Sequence, residues 1–495
     1  MTDSKEKFAM MLSELLSGIV AVPTEKDTVI TGLSEYSGDV THGDVYLATA
    51  NLTYCQEAIK NGASAIIYDE NLVSSLDNID ATIPMIACNQ LMRKTKELSV
   101  LFYGRISEDI KTIAITGTDG KSSVAHLSTQ AVENCGDTCG IIGTLGYGRL
   151  SALKEATHTT PPISRIAREY SLFANAGCNT VAIEASSHGI QQQRLKDVPI
   201  HTAVLTNISR DHLDYHKTVE EYIQAKAKLF FDHHPKYVVI NLDDGVGKKW
   251  ILQLAGSTNV LSFSLHDEQA DVFATNVNYT RDGIDLAINV RGQLINIFVP
   301  MYGEFNVSNI LAVSAILVSL GKSNDEILFA LNNLTAVPGR MQLVASKNGA
   351  RVIVDYAHTP AALLAAINAV RKHDSGRLIC VFGCGGDRDT GKRPLMGEIA
   401  TQFADIVVIT SDNPRNEDPQ LIIDEILHGS VGENKPNSFV DRKEAIAYAI
   451  SLAQENDSVL IAGKGHEKFQ EISGCKYPFD DVEVAEQEIL RRSNG

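Results

Sequence analysis

A short polar segment between an apolar run and a helical pattern is the first candidate for chemistry in this sequence. Glycines let backbone N–H groups approach phosphate oxygens, and a helix N-terminus adds a partial positive charge. Lys121 would then reach the terminal phosphates of a nucleotide, and the Ser122 hydroxyl would bind Mg²⁺. Ile115 replaces the first glycine of the full phosphate-loop pattern, so an ordinary strand-to-helix turn is the alternative. The segment comprises Gly117, Thr118, Asp119, Gly120, Lys121, Ser122 and Ser123.

Two further polar segments follow apolar runs, at residues 184–189 and 206–214. Glu184 in the first segment offers a hard oxygen ligand, the kind that Mg²⁺ between phosphates requires. His212 in the second segment would complete another cation site. For either segment alone, satisfied polar groups at the end of a strand are the more common interpretation.

A lysine on an inward-facing helical stripe is the third candidate. Residues Thr218–Phe231 begin with Thr-x-x-Glu, which predicts a capping box at a helix N-terminus. Tyr222, Ala225 and Leu229 fall on one face of this helix, and Lys226 lies on the same face. A charged lysine is costly to bury, so Lys226 is expected to be paired, to snorkel towards solvent or to be chemically altered.

The elements that must position these residues are short apolar runs, each followed by a polar or glycine-rich turn and a helical pattern. Strands that alternate with helices predict parallel α/β sheets. Ligands bind beyond the carboxyl ends of the strands in such sheets, which is where the polar segments lie. The predicted strands are Thr112–Thr116, Thr180–Ile183, Ala203–Thr206, Arg351–Asp355, Leu378–Phe382, Ile406–Thr410 and Ser458–Ala462.

The length of the chain predicts several domains. A chain of 495 residues is too long for a single core, and about three domains are expected. One boundary is predicted near Ser107, ahead of the strand that carries the phosphate loop. The other is predicted near Val337, at a Pro-Gly break before a new strand. The predicted domains are therefore residues 1–107, 108–336 and 337–495.

Composition narrows the classes of partner. The net charge of −17 disfavours nucleic acid and anionic membranes as partners, and it requires local cations to hold any anionic substrate. No stretch approaches the ~18 apolar residues of a spanning helix, and the first residues do not resemble a signal peptide. The eight cysteines are scattered without zinc-site spacing, so free thiols in a reducing cytoplasm are expected.

Taken together, these motifs resemble those of the Mur ligases, in particular the members that add diaminopimelate. The resemblance runs from about Lys111 to about Gln470. It implies an α/β protein of three domains: an N-terminal UDP- and acceptor-binding domain, a central ATPase domain with a P-loop-type parallel sheet, and a C-terminal Rossmann-like domain that binds the amino acid. It also implies ATP-dependent amide formation, in which an acceptor carboxylate takes the γ-phosphoryl group and the amine of the amino acid then displaces phosphate.

The resemblance gives the candidate residues specific roles. Lys121 would stabilise the charge that develops on the transferred phosphoryl group. Ser122, Glu184 and His212 would hold two Mg²⁺ ions that bridge the phosphates and the acyl oxygen. Lys226 would react with CO₂ to form a carbamate, which turns a buried cation into an anion that can face Mg²⁺.

The ATP site implied by the resemblance extends beyond the phosphate loop. Asn309 would meet the adenine, Arg340 a phosphate and Asp355 the ribose. Because Arg340 and Asp355 belong to the third predicted domain, closure of the domains would complete the site.

The motif Asp-Asn-Pro-Arg at residues 412–415 carries the amino-acid specificity in this resemblance. Arg388 and Arg415 would bind carboxylates of meso-diaminopimelate, since a planar guanidinium suits bidentate contacts. Gly463 and Glu467 would take the ammonium group at its far end. Without the resemblance, each arginine would be interpreted as a surface cation and the motif as a turn. The implied amino-acid site comprises Arg388, Asp412, Asn413, Pro414, Arg415, Gly463 and Glu467.

The acceptor side departs from the pattern of the Mur ligases. His158 stands at a position where these ligases usually have an asparagine. In the phosphate loop, Asp119 replaces another usual asparagine and Ser122 replaces the usual threonine. Tyr36 flanks the aligned Ser37, and the usual loop with Asp-Gly that follows Ala48 is missing. The implied acceptor-binding residues are Ser37, His158, Thr159, Thr160, Ser186, Gln192 and Arg194.

The expected function is therefore ATP- and Mg²⁺-dependent addition of meso-diaminopimelate to UDP-N-acetylmuramoyl-L-alanyl-D-glutamate, a step of peptidoglycan precursor synthesis. The departures on the acceptor side leave two alternatives. One is a diverged relative that joins an amino acid to a different carboxylate acceptor. The other is a catalytically weak binding or regulatory protein.

Overall fold

The computed structural model describes residues 8–72, 79, 82–344, 349–432 and 435–494. The chain forms two compact units, Met1–Leu261 and Ser262–Gly495. The expectation about a signal peptide concerns the start of the chain, of which residues 1–7 lie outside the described part. The boundaries near Ser107 and Val337, and with them the limits of the three domains, stay predictions.

The first unit contains a central sheet with the order β12-β11-β7-β10-β8-β9 and a smaller parallel sheet with the order β3-β4-β5-β6. Its strands are β1 (Met10–Met11), β2 (Val29–Ile30), β3 (Gly32–Ser34), β4 (Asp44–Ala48), β5 (Ala65–Asp69), β6 (Met85–Cys88), β7 (Lys111–Thr116), β8 (Cys139–Gly143), β9 (Gly146–Gly148), β10 (Thr180–Glu184), β11 (Ile200–Leu205) and β12 (Tyr237–Asn241). Its helices are α1 (Leu12–Leu15), α2 (Cys55–Lys60), α3 (Leu91–Tyr103), α4 (Lys121–Asn134), α5 (Ile163–Asn175), α6 (Ser187–Gln191), α7 (Leu213–His216), α8 (Val219–Phe231) and α9 (Gly245–Leu254).

Strand β7 lies in the middle of the central sheet, between β10 and β11. It pairs in parallel with β10 on one side and β11 on the other. Its residues from Thr112 to Thr116 are buried, as expected for a parallel strand that helices cover on both faces. The carboxyl ends of β7, β10 and β11 therefore meet at one edge, where the three polar segments follow them.

The second unit contains a six-stranded sheet with the order β17-β18-β22-β19-β20-β21. Strand β13 (Asn259–Ser264) crosses the boundary between the units. The strands that follow are β14 (Val272–Thr280), β15 (Gly283–Val290), β16 (Gln293–Val299), β17 (Gln342–Val344), β18 (Arg351–Asp355), β19 (Leu378–Phe382), β20 (Ile406–Thr410), β21 (Asn437–Phe439), β22 (Ser458–Ala462), β23 (Phe469–Ile472) and β24 (Cys475–Pro478). The helices are α10 (Glu304–Ser319), α11 (Asn324–Asn332), α12 (Pro360–His373), α13 (Lys392–Phe403), α14 (Pro419–His428), α15 (Arg442–Leu452) and α16 (Asp481–Asn494).

The predicted α/β class is confirmed. Four predicted strands coincide with β18, β19, β20 and β22, and they pair in parallel. The exceptions are antiparallel pairs such as β14–β15, β15–β16, β17–β18 and the β23–β24 hairpin. The eight cysteines are free thiols. Within the described ranges, no helix is long and apolar enough to cross a membrane.

Candidate functional site

The phosphate loop connects β7 to α4 in the first unit. Gly117 and Gly120 have φ angles of 154° and 82°, which glycine adopts at the lowest cost. A Cβ atom on Gly117 would overlap the Thr206 hydroxyl, so the close approach of the two loops also requires glycine. The Thr118 N–H donates to the Asn207 carbonyl at 2.8 Å, and the Asp119 N–H donates to the Asn207 side-chain oxygen at 3.0 Å. The segment after β11 therefore fixes the backbone of the loop.

Two lysines converge on one carbonyl of this loop. The Lys121 Nζ donates to the Gly117 carbonyl at 2.9 Å, and the Lys226 Nζ donates to the same carbonyl at 2.7 Å. Lys226 lies on α8 with only 1% of its surface exposed. The pKa of Lys226 lies well below its usual value. Burial is the largest cause, and the nearby Lys121 ammonium lowers the pKa further. The prediction that Lys226 faces inward is confirmed, and the snorkelling alternative does not apply.

Tyr222 links Lys226 to the phosphate loop, a role that the sequence analysis missed. The Lys226 Nζ lies 4.5 Å from the centre of the Tyr222 ring. The Tyr222 hydroxyl lies 3.0 Å from the Thr118 hydroxyl. The spacing of four residues between Tyr222 and Lys226 could have predicted this contact, because it places both side chains on one face of α8.

Glu184 and Ser122 meet at the start of α4. The Ser122 hydroxyl donates to one Glu184 carboxylate oxygen at 2.9 Å. The Thr144 N–H donates to the other oxygen at 2.7 Å. Thr144 lies after β8 and was not predicted, because only the pairing of β8 with β10 brings it to Glu184.

This oxygen-rich pair fits one of the two predicted magnesium ions. Glu184 is 1% exposed, and a buried carboxylate is best satisfied by a nearby cation. Mg²⁺ commonly takes one or two protein oxygens and completes its shell with substrate phosphates and water. Among the residues that the structure describes, no group of three or more His, Cys, Asp or Glu side chains could hold a metal ion.

His212 lies near Tyr222, the residue whose ring also contacts Lys226. Its backbone has a φ of 52°, and its ring lies 6.1 Å from that of Tyr222. Its Nε2 atom is 3.4 Å from the Asp211 carboxylate. The ring is also 5.0 Å from that of His188. His212 is thus near Tyr222 and His188, while its predicted role as a metal ligand stays a prediction.

Three of the predicted acceptor-binding residues form one network with Glu184. The Thr160 hydroxyl donates to the Glu184 carbonyl at 2.6 Å and accepts from the Ser186 N–H at 2.9 Å. The Thr159 hydroxyl accepts from the Thr144 hydroxyl at 3.1 Å. The predicted acceptor residues therefore adjoin the predicted metal ligands.

Arg194 extends this network towards the smaller sheet. It donates to the Thr160 carbonyl and, at 2.7 Å, to the Gln192 side-chain oxygen. The His158 ring packs edge-on against the Tyr36 ring at 4.8 Å. Burial is the largest cause that lowers the pKa of His158, and the positive charge of Arg194 lowers it further. The two departures noted at Tyr36 and His158 are thus in direct contact.

Ser37, also predicted to bind the acceptor, is buried against α2. Its hydroxyl donates to the Glu57 carboxylate at 2.6 Å. The chain passes from the end of β4 at Ala48 to α2 at Cys55, in agreement with the short connection read from the sequence.

In the second unit, Arg340 and Asp355 adjoin Tyr356. The Arg340 guanidinium lies 4.6 Å from the centre of the Tyr356 ring. The Asp355 carboxylate accepts from the Met341 N–H at 2.7 Å and from the Ala357 N–H at 2.8 Å. Burial raises the pKa of Asp355, and Arg340 opposes this shift.

Asn309, the third predicted ATP contact outside the phosphate loop, is buried on α10. Its side-chain amide donates to the side-chain oxygen of Asn306 at 3.1 Å. Asn306 was not predicted; its own amide donates to the Tyr302 carbonyl at 2.8 Å. Both asparagines are therefore held in fixed orientations on the first turns of α10.

The Asp-Asn-Pro-Arg segment follows β20 and brings the two predicted arginines together. A Cβ atom on Gly385 would lie 3.0 Å from Arg415 Nη1 and 3.8 Å from Arg388 Cγ. Arg415 itself has a φ of 50°, a conformation that is strained for a non-glycine residue. Its Nη1 donates to the Gly386 carbonyl at 2.7 Å. Arg415 thus reaches the turn after β19, in which Arg388 lies.

A buried lysine joins the two halves of the predicted amino-acid site. The Lys464 Nζ donates to the Asn413 side-chain oxygen at 3.0 Å and to the Glu467 carboxylate at 2.9 Å. The Asn413 amide donates to the same Glu467 oxygen at 2.8 Å. Gly463 packs so closely on Asp412 that a Cβ atom would overlap its carboxylate. Lys464 was not predicted, although it lies inside the motif that spans Gly463 and Glu467.

Comparison with known proteins identifies the family of this architecture. Residues 115–317 match the Mur ligase middle domain, and residues 339–465 match the Mur ligase, glutamate ligase domain. The chain is 39% identical over 472 residues to UDP-N-acetylmuramoyl-L-alanyl-D-glutamate--2,6-diaminopimelate ligase of Coxiella burnetii, covering 94% of this chain and 96% of that protein. It is 40% identical over 476 residues to the ligase of the same name from Pseudomonas aeruginosa, with the same coverage of 94% and 96%.

Solved structures agree with the sequence relatives. A structure of UDP-N-acetylmuramoyl-L-alanyl-D-glutamate--2,6-diaminopimelate ligase has a TM-score of 0.64 and 32% identity, covering 98% of this chain and 100% of that chain. Folylpolyglutamate synthase of Mycobacterium tuberculosis shares the fold, with a TM-score of 0.59 and 18% identity over 77% of this chain and 91% of that chain. Because two of its domains match in order and its relatives align over nearly their full length, this chain belongs to the Mur ligase family.

Proposed function

We propose that this chain is an ATP-dependent ligase that adds meso-diaminopimelate to UDP-N-acetylmuramoyl-L-alanyl-D-glutamate. The observation that carries the proposal is the layout of the predicted amino-acid site. Arg415 and Arg388 both approach Gly385, and the Asn413 side chain bonds the Glu467 carboxylate. Diaminopimelate has a carboxylate and an ammonium group at its far end, which this pairing of cations and a carboxylate suits. The curated relatives named for this reaction support the same substrate.

The reaction balances in two steps. An oxygen of the acceptor carboxylate attacks the γ-phosphorus of ATP, the bond to the ADP oxygen breaks, and an acyl phosphate forms. The amine of diaminopimelate then attacks the acyl carbon, phosphate leaves and the amine loses a proton. Lys121, which donates to loop carbonyls at 2.7 and 2.9 Å, would turn its ammonium towards the transferred phosphoryl group. Loss of one such preorganised donor typically costs ~2.7–4 kcal/mol of barrier.

The metal and the modified lysine belong to the same proposal. When bound, Mg²⁺ would neutralise charge on the phosphates and the acyl oxygen. Ser122 and Glu184 would hold it, with His212 as a further ligand. The lowered pKa of Lys226 favours the neutral amine, which is the form that attacks CO₂. The new N–C bond and the loss of one proton would give a carbamate beside Gly117. A ¹³C carbamate signal from labelled bicarbonate, absent in Lys226→Arg, tests this step.

The remaining substrate contacts are proposed from the networks described above. Gly117 to Ser123 would cradle the phosphates of ATP, with Asn309 at the adenine, Arg340 at a phosphate and Asp355 at the ribose. The acceptor would lie along the residues predicted to bind it, which are Ser37, His158, Thr159, Thr160, Ser186, Gln192 and Arg194. Because ATP and a UDP-linked precursor are cytoplasmic metabolites, we place the protein in the cytoplasm.

Phosphate release from ATP tests the function directly. The purified chain is given UDP-N-acetylmuramoyl-L-alanyl-D-glutamate with meso-diaminopimelate, with L-lysine or with no amino acid. We expect release with diaminopimelate, much slower release with L-lysine and none without an amino acid. The Arg415→Ala variant should lower kcat/KM for diaminopimelate by roughly 10–100-fold, the effect of losing a charged hydrogen-bond donor, while KM for ATP stays within about twofold. ATP binding without turnover on this acceptor would favour a different carboxylate acceptor or a binding role.

A further inference from the structure

The β23–β24 hairpin lies along the Asp-Asn-Pro-Arg segment and fixes its backbone. The Gln470 side-chain amide donates to the Asp412 carbonyl at 2.6 Å. The Glu471 N–H donates to the Asn413 side-chain oxygen at 2.9 Å. The Arg415 N–H donates to the Glu471 carbonyl at 3.0 Å. A single residue of the hairpin, Glu471, therefore contacts both Asn413 and Arg415 through its main chain.

The side chain of Glu471 makes a separate contact with the guanidinium of Arg415. Its carboxylate lies 3.2 Å from Arg415 Nε. On another nitrogen, Arg415 Nη1 donates to the Gly386 carbonyl at 2.7 Å. Two contacts at different points fix the plane of a rigid guanidinium, since its five N–H donors have a fixed geometry. Donors on Nη1 and Nη2 remain for a ligand.

We propose that Glu471 is a specificity-determining positioning residue, which orients Arg415 towards the second carboxylate of the amino-acid substrate. This inference rests on the proposed function, because it assumes that Arg415 binds that carboxylate. A long arginine side chain loses much rotamer freedom when it is ordered. Glu471 bears part of this cost before the substrate arrives, and preorganisation of this kind raises affinity for the ligand.

The geometry separates this role from a merely structural one. The hydrogen bonds that join Glu471 to Asn413 and to Arg415 use the main-chain N–H and carbonyl of Glu471. The contact of Gln470 with Asp412 does not involve Glu471. Replacing the Glu471 side chain therefore leaves these contacts in place. L-Lysine lacks the second carboxylate, so its slower use should not depend on how Arg415 is oriented.

Steady-state kinetics of the full chain tests the proposal with Glu471→Ala, Glu471→Gln and the matched control Glu486→Ala, an exposed glutamate on α16. Glu471→Ala should raise KM for meso-diaminopimelate about tenfold, with kcat and KM for ATP within about twofold. Turnover with L-lysine should be unchanged. Glu471→Gln should fall in between, because its amide oxygen still accepts from Nε. The control should match the parent.

A double-mutant cycle with Arg415→Ala shows whether Glu471 acts through Arg415. We expect Glu471→Ala to add no further loss once Arg415 is removed. An equal loss with diaminopimelate and lysine, or a full additional loss in the Arg415→Ala background, would overturn this inference while leaving the proposed function intact. A parent chain that never uses diaminopimelate would overturn both.

Discussion

At the scale of single residues, Lys464 is a completely buried cation. Its side chain has 0% exposure, and its ammonium is satisfied by Asn413 and Glu467. A buried ammonium is tolerated only with such partners. Lys464 therefore holds the Asn413 amide and the Glu467 carboxylate in one arrangement, in the part of the site proposed to receive the ammonium of the substrate.

Replacing Lys464 by Met keeps the length of the side chain and removes its charge. The change leaves Glu467 without its cation and Asn413 without one donor, so we expect a loss of ~1–3 kcal/mol of stability and about a tenfold rise in KM for diaminopimelate. Thermal unfolding and steady-state kinetics measure the two effects. Lys468→Met is the matched control, because Lys468 is 70% exposed in its pair with Asp480 and such pairs contribute little. Equal effects of both variants would contradict the assignment.

The sequence predicted residues whose role depends on local spacing, and it missed those that depend on distant contacts. Lys226 was placed on an inward face because the helical period is local. Thr144 was missed because it reaches Glu184, 40 residues away, only through sheet pairing. Lys464 was missed for the same reason, since Asn413 lies 51 residues before it. The short motif around a residue does not reveal which distant side chain satisfies it.

At the scale of elements, the strands predicted from the sequence are largely buried and pair in parallel, and no exposed antiparallel strand was among them. Continuous apolar runs such as Leu378–Phe382 are buried throughout in β19. Strand β16 instead alternates between exposed and buried residues, and the polar Asn296 interrupts its apolar residues. The β23–β24 hairpin is still more exposed, although its contacts fix the Asp-Asn-Pro-Arg segment. Burial on both faces is thus the property that sequence alone signals most clearly.

The start of helix α8 is a further element that sequence predicted. The Thr218 hydroxyl accepts from the Glu221 N–H at 3.1 Å, which is one half of the predicted capping box. The Thr218 N–H donates to the His216 carbonyl at 2.6 Å, so the reciprocal half of the box is not formed. Thr218→Ala should remove this cap and destabilise the first turn by ~1 kcal/mol. That turn carries Tyr222, which contacts the phosphate loop, so we also expect a several-fold lower kcat. Hydrogen exchange of the α8 amides and phosphate release measure both effects. Thr218→Ser keeps the hydroxyl and should behave as the parent; loss in both variants would show that the cap is not the cause.

At the scale of the whole molecule, function depends on local cations within an anionic protein. The chain carries a net charge of −17, yet Lys121 and Lys226 share one loop carbonyl, and Arg388 flanks the same glycine as Arg415. The proposed substrates are anionic or zwitterionic. Groups whose fields are local would therefore bind them, because salt screens the distant negative charge over about 10 Å.

Buried histidines make the stability of the molecule sensitive to acid, and His126 on α4 isolates the effect. Burial lowers the pKa of His126 from 6.5 to about 4. The unfolded chain therefore binds a proton below pH 6.5 while the folded chain does not. This contribution to stability is fully present above pH 6.5 and is lost as the pH falls towards 4, by up to ~1.4 kcal/mol per pH unit.

Comparing the parent with His126→Gln separates this histidine from all other titrating groups. Glu35 and Asp355, whose pKa values burial raises, stabilise the folded chain as the pH falls, but both proteins contain them and their effect cancels in the difference. Between pH 7.5 and 5 the parent should lose ~2 kcal/mol more than the variant, or about 4–8 °C in Tm for a unit of this size. Scanning calorimetry across this range measures the difference. Parallel curves for the two proteins would mean that His126 is protonated in the folded state and that the phosphate-loop helix admits water.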